Sequence, residues 1–216
     1  MGQHSKIEQT STGDQNVVIG SVEAGAHVSV EIGVAPPSPQ QSLPPQRSLR
    51  QLPGDIDRFR GREAEVKRIL AQFQTNNATT AVALFAISGM AGVGKSKLAV
   101  HVAHQLKEQF SDAQLYYNLR GADELPVAPF DVLGQWLRSF GLDDANIPMR
   151  LEDRVIVYRS WLADKQALIL LDNVRDETQV RPLLPGSGTC GVLVTSRRKL
   201  GALHGTQEID LGIMPE

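Results

Sequence analysis

Gly89-Met90-Ala91-Gly92-Val93-Gly94-Lys95-Ser96 reads G-x-x-x-x-G-K-S, and it constrains this chain more than any other feature. Immediately before it runs Ala81 to Ile87, an apolar stretch of buried-strand length. Immediately after it, Leu98, Ala99, Val102, Leu106 and Phe110 recur at helical spacing. A glycine-rich turn between a strand and a helix is the context in which this pattern binds phosphate. The glycines let successive backbone N–H groups curl around an anion, and the helix start adds a partial positive charge. Lys95 is placed to reach β- and γ-phosphates, and the Ser96 hydroxyl to ligate Mg²⁺.

The rest of the globular part alternates between the two periodicities. Val66, Ile69, Leu70 and Phe73 form one helical stripe before the loop strand. Strands are expected over 113–119, 167–171, 192–194 and 207–211, with helices over about 130–140 and 151–162. Strands alternating with helices imply a parallel sheet covered on both faces, with ligands at the carboxyl ends of the strands. A formal net charge of −2 gives no electrostatic case for nucleic acid as a partner. The single cysteine, Cys190, fits a reducing cytoplasm and a packing role beside a strand. No apolar run of about 18 residues suggests a membrane span, and the first residues lack the apolar core of a secretory signal. His101 and His104 have helical i, i+3 spacing but no third metal ligand nearby, and Trp136 and Trp161 read as core.

Three more positions fall at strand ends. The strand Ala167–Leu171 ends in Asp172, a carboxylate placed to hold Mg²⁺ through water. Asn173 follows it and has no group that accepts a proton, which argues against fast hydrolysis. The next strand ends Val194-Thr195-Ser196-Arg197-Arg198; Thr195 and Arg197 are candidates to sense a γ-phosphate, and Arg198 and Lys199 form a solvated basic turn.

Taken in order, Phe59-Arg60-Gly61-Arg62-Glu63, GMAGVGKS, Tyr117-Asn118-Leu119-Arg120-Gly121, ALILLDNV and VLVTSRR resemble the NB-ARC nucleotide-binding domain. That family comprises STAND-class ATPases related to plant disease-resistance proteins and apoptosome scaffolds. The resemblance covers about residues 55–216. It implies an α/β P-loop NTPase three-layer fold with a five-stranded parallel sheet of order 2-3-1-4-5. It implies ATP/ADP and Mg²⁺ as cofactors, with Arg60, Gly61 and Arg62 over the adenine. Gly89 to Ser96 and the following Lys97 would hold the phosphates, with Ser96 and Asp172 at the metal and Lys95, Asp172 and Arg197 as the catalytic set. Family members are switches, closed with ADP and oligomeric with ATP. The expected function is therefore a nucleotide-controlled, self-associating switch of an NLR-like signalling protein, a slow Mg²⁺-dependent ATPase at most, active in innate immunity or programmed death. The resemblance ends near Leu211–Glu216, before the family's helical and winged-helix subdomains, so the chain reads as a fragment or a naturally short protein.

Two segments precede the globular part. Residues 35–54 hold Pro36-Pro37, Pro39, Pro44-Pro45 and Pro53 and read as a semi-extended linker. In residues 1–34, Val28, Val30 and Ile32 alternate with Ser29 and Glu31, a strand pattern without proline. Two readings of this segment stand open. One is a disordered or docked tail; the other is a cross-β segment resembling bacterial amyloid-signalling motifs, which would template an effector protein carrying a matching motif. The alternatives to the switch are accordingly an amyloid-signalling adaptor with a vestigial ATPase, or a fragment of an NB-ARC-type transcriptional regulator.

Overall fold

A computed structural model describes residues 49–56, 59–75, 81–203 and 205–213. The β-prone segment 1–34 and most of the linker lie outside these residues. The described chain runs β1 (Leu49–Arg50), α1 (Glu63–Thr75), β2 (Ala83–Ser88), α2 (Lys95–Leu106), β3 (Ala113–Asn118), α3 (Pro129–Ser139), α4 (Leu151–Leu162), β4 (Ala167–Val174), α5 (Glu177–Val180), β5 (Gly191–Ser196) and β6 (Gln207–Asp210). All strands pair in parallel in one sheet of order β1-β3-β4-β5-β2-β6.

Alternation along each strand divides the core into two layers. Leu84 and Ala86, Ile169 and Leu171, and Val192 and Val194 face α3 and α4, where Trp136 stacks on Tyr158 with ring centroids 5.5 Å apart. Phe85 and Ile87, Leu168 and Leu170, and Leu193 face α1 and α2. β2 and β5 are buried along their whole length, so an apolar run rather than an alternating one is required there. The expected helices and the α/β three-layer class are present in the structure.

The sheet departs from expectation in count and order. With the phosphate-loop strand taken as first, the five expected strands run 2-3-4-1-5 instead of 2-3-1-4-5. β5 lies between β2 and β4, pairing Ala86 with Val194 on one side and Leu170 with Leu193 on the other. Its burial on both faces requires a central position, so Val192-Leu193-Val194 separates the phosphate loop from Asp172 by one strand. A sixth strand comes from the end of the expected linker: Leu49 and Arg50 pair with Ala113 and Gln114, and the Arg50 guanidinium donates to the Gln114 side chain at 2.8 Å. The histidines hold the segment that follows. His101 stacks on Phe59 with ring centroids 4.4 Å apart, and His104 Nε2 lies 2.7 Å from the Pro53 carbonyl.

Candidate functional site

β2 delivers the chain to the carboxyl end of the sheet, and α2 begins there at Lys95. Between them Gly89, Gly92 and Gly94 all have positive φ, at 140°, 77° and 100°. A glycine loop of this kind ahead of a helix N-terminus can turn successive backbone N–H groups toward an anion, which makes it a candidate anion cradle. Gly89 also allows a close approach, since a Cβ there would stand 2.5 Å from the Leu211 carbonyl oxygen.

Lys95 is 9% exposed and its Nζ donates to the Gly89 and Met90 carbonyls at 2.8 and 2.7 Å. Burial, then the charge of Arg197, hold its pKa below the usual lysine range, with Asp172 pulling the other way. Arg197 is exposed at the tip of β5. A buried cation in the glycine loop thus feels a second positive charge, a cost that an anionic ligand would relieve. Lys97, one residue past Ser96, is exposed.

Asp172 is buried on the α2 side of β4, and its carboxylate oxygen Oδ1 accepts from Ser96 Oγ at 2.7 Å and from Thr195 Oγ1. Burial, then the neighbouring Asp172 charge, push the Tyr116 phenol pKa up. Among the described residues no group of three His, Cys, Asp or Glu side chains forms a protein-only metal cage. One carboxylate and one hydroxyl beside a phosphate cradle suit Mg²⁺, which keeps waters and takes its remaining ligands from phosphates. The residues present therefore fit a nucleotide with Mg²⁺, with Lys95 and the loop amides on the phosphates and Ser96 and Asp172 at the metal.

Several predicted residues are placed differently from expectation. β4 does not end at Asp172 but continues to Val174, with a bulge in its pairing to β5. Asn173 occupies the bulge at φ 54°, a left-handed conformation that asparagine tolerates better than most residues. Its N–H donates to Thr195 Oγ1 at 2.9 Å, and its carbonyl accepts from the Gly121 N–H at 2.6 Å. Thr195 is 1% exposed and its oxygen is engaged by both Asp172 and Asn173. It clamps the carboxylate and is not turned toward a γ-phosphate. Arg62 is buried; its guanidinium donates to Glu65 at 2.9 Å and to the Gly212 carbonyl, so it fastens α1 to the segment after β6 instead of presenting itself to a base. Gly61 turns at φ 83° with its N–H on Glu63, and Arg60 is exposed beside it.

The motif Tyr117 to Gly121 acquires a physical role only in three dimensions. Asn118 Oδ1 accepts the Arg120 N–H at 3.0 Å and supports Arg120 at φ 50°. Leu119 N–H donates to the Asp172 carbonyl at 2.8 Å. A Cβ on Gly121 would meet Arg175 N at 2.2 Å and Val174 C at 2.4 Å, so the backbone of this turn lies directly on the bulge. A cleft of about 910 Å³ at the opposite end of the sheet, lined by Phe73, Phe110, Gln166, Thr189 and the buried Cys190, carries no comparable cation cluster. No described helix is long and apolar enough to cross a membrane.

Comparison with known proteins agrees with this geometry. The pattern of the NB-ARC domain matches residues 62–205. Regulatory protein AfsR of Streptomyces coelicolor is 45% identical over 168 residues, a stretch covering 76% of this chain and 17% of that protein. Disease resistance protein RML1A of Arabidopsis thaliana is 25% identical, with 70% of this chain and 15% of that protein covered. Among solved structures, Cdc6p from Pyrobaculum aerophilum superposes with a TM-score of 0.52 at 12% identity, over 72% of this chain and 46% of that one, and so shares the fold. The chain thus spans less than a fifth of the length of these regulatory and resistance relatives.

Proposed function

The chain belongs to the NB-ARC domain family, and from that premise we propose that it is the nucleotide-holding module of a regulatory switch. It binds ATP or ADP with Mg²⁺, hydrolyses slowly at most, and converts nucleotide state into self-association in the cytoplasm. The observation that carries this reading is the buried Lys95 closing a loop of left-handed glycines before α2, with Ser96 and Asp172 hydrogen-bonded beside it. Lys95 and the loop N–H groups orient the phosphates, and Arg197 neutralises the terminal one. Mg²⁺, when bound, supplies further neutralisation of the phosphate oxygens. No second carboxylate follows Asp172: the next residue is Asn173, bonded through its backbone to Thr195 and Gly121. A site that grips phosphates without a base for water suits a timer rather than a fast enzyme.

The higher identity to a regulatory protein than to a plant resistance protein supports a regulator as the parent of this module, ahead of an immune receptor. A partner effector joined through residues 1–34 belongs to the amyloid-adaptor reading, which the described residues do not reach.

The test is to denature freshly purified protein and identify the released nucleotide by chromatography. Stoichiometric ADP is the expected result. A protein that releases no nucleotide and fails to bind added ATP or ADP would overturn the switch, as would turnover of many ATP per second.

A further inference from the structure

The segment after β6 runs over the start of the phosphate loop. β6 pairs with β2 as far as Asp210, opposite Ser88. The ladder continues by one more bond, from the Leu211 N–H to the Ser88 carbonyl at 2.8 Å, while the Ser88 hydroxyl donates to the Ile209 carbonyl at 3.3 Å. The Leu211 side chain is buried in the α1–α2 layer with Val66 and Ile69. Its carbonyl lies so close to Gly89 that a Cβ there would overlap it. Beyond it, Gly212 and Ile213 are exposed.

Arg62 takes hold at this point. It stands just before α1 and is 7% exposed, deep burial for an arginine. Glu65 accepts from one arm of its guanidinium at 2.9 Å, and the Gly212 carbonyl accepts from the other. The paired carboxylate thus aims the rigid fork at the backbone of the segment. The end of a strand pair opens readily, and a charge-assisted bond from a buried, paired arginine keeps Leu211 from lifting off Gly89. On its other side Gly89 is held through its own carbonyl, which accepts from Lys95 Nζ at 2.8 Å. A phosphate that draws Lys95 onto itself breaks that bond and leaves Gly89 held from the Leu211 side.

We propose that Arg62 is a positioning residue for the phosphate loop: by holding the Gly212 carbonyl it fixes the segment after β6 against Gly89 and so sets the first turn of the loop from behind. This rests on the nucleotide reading above. Phosphate binding and the clasp on Gly212 are then coupled, and each strengthens the other.

The experiment pairs two ligands. ADP and inorganic pyrophosphate are each titrated into the full chain, and hydrogen exchange over residues 206–213 is followed by mass spectrometry with and without ADP. Arg62→Gln should bind both ligands about fivefold or more weakly, the low end for coupled sites, because the loop is affected and not a contact to the base. Exchange over 206–213 should quicken, and ADP should slow it again. A loss confined to ADP overturns the assignment and puts Arg62 over the base. Unchanged affinity for both ligands, with faster exchange, overturns it as well and marks a purely structural clasp. Glu65→Gln keeps the arginine and unsettles its aim; it should move both readouts the same way by less, and it decides by the same criteria if Arg62→Gln fails to fold. If the unaltered chain binds neither ligand, the nucleotide reading itself fails and the role of Arg62 at the loop falls with it.

Discussion

The phosphate loop and the bulge after Asp172 lie at the same end of the sheet and reach left-handed backbone by opposite routes. In the loop, Gly92 and Gly94 have φ of 77° and 100°, with no atom within 4 Å of where a Cβ would stand. Nothing distant forces those angles; the residue type permits them. In the bulge, Asn173 at φ 54° is held from outside, by the Thr195 hydroxyl on one side and the Gly121 N–H on the other. Gly121 is needed for space, not torsion, because the backbone of residues 173–175 occupies the position of its Cβ. The loop is thus a local device that works on a ligand, whereas the bulge is a tertiary device that works on Asp172. Damage to the first should appear in binding, and damage to the second in folding.

Gly121→Ala tests the second statement and carries the largest expected effect. The atoms it meets are backbone atoms at 2.2–2.6 Å, which cannot swing aside. A loss of more than about 3 kcal/mol of stability, or failure to fold, is expected in urea unfolding, at or above the top of the usual range for overpacking. A near-neutral result would mean that the β3 and β4 ends are not in contact as described. Lys95→Ala tests the first. It removes a charged donor to phosphate worth about 1.5–3 kcal/mol, so ADP should bind about tenfold to 150-fold more weakly while the melting temperature changes little. Equal ADP affinity in a calorimetric titration would remove Lys95 from the phosphate site.

Gly92→Ala sharpens the contrast with Gly121, since both add one methyl group. At position 92 the cost is torsional only, about 1–2 kcal/mol for a left-handed residue, and no overlap accompanies it. A loss as large as that of Gly121→Ala would show that the loop too is clamped by its surroundings. The smallest effect concerns pH. Burial and Arg197 lower the Lys95 pKa in the free site, and a polyphosphate beside it raises that pKa again. The bound form then holds the proton more firmly than the free form, so ADP affinity should fall as pH rises into and through the range where the free Lys95 loses its proton, below the ordinary lysine range. The decline should vanish in Lys95→Ala; if it persists there, another group titrates.

Much of this was legible in the residues. The strand–loop–helix unit around Gly89–Ser96, the apolar runs of β4 and β5, and the acid after Leu171 all carry local signals, because burial on both faces and phosphate binding each demand particular residue types in sequence. Strand order carried no such signal. Two apolar runs look alike whether they neighbour the loop strand or stand one strand away, and only the assembled sheet placed Val192–Val194 between them. Arg62 shows the same limit: a motif arginine can serve a ligand or a carbonyl, and its 150-residue jump to Gly212 has no trace in the local pattern.

Taken alone, the sequence determined that this chain makes a parallel α/β layer with a phosphate cradle, since glycine torsions, helix starts and apolar periodicity are short-range properties. The tertiary structure decided which side chains hold Asp172. Ser96 and Thr195 stand 99 positions apart in the chain and meet at Asp172 only because parallel strands deliver their carboxyl ends, and the start of α2, to one end of the sheet.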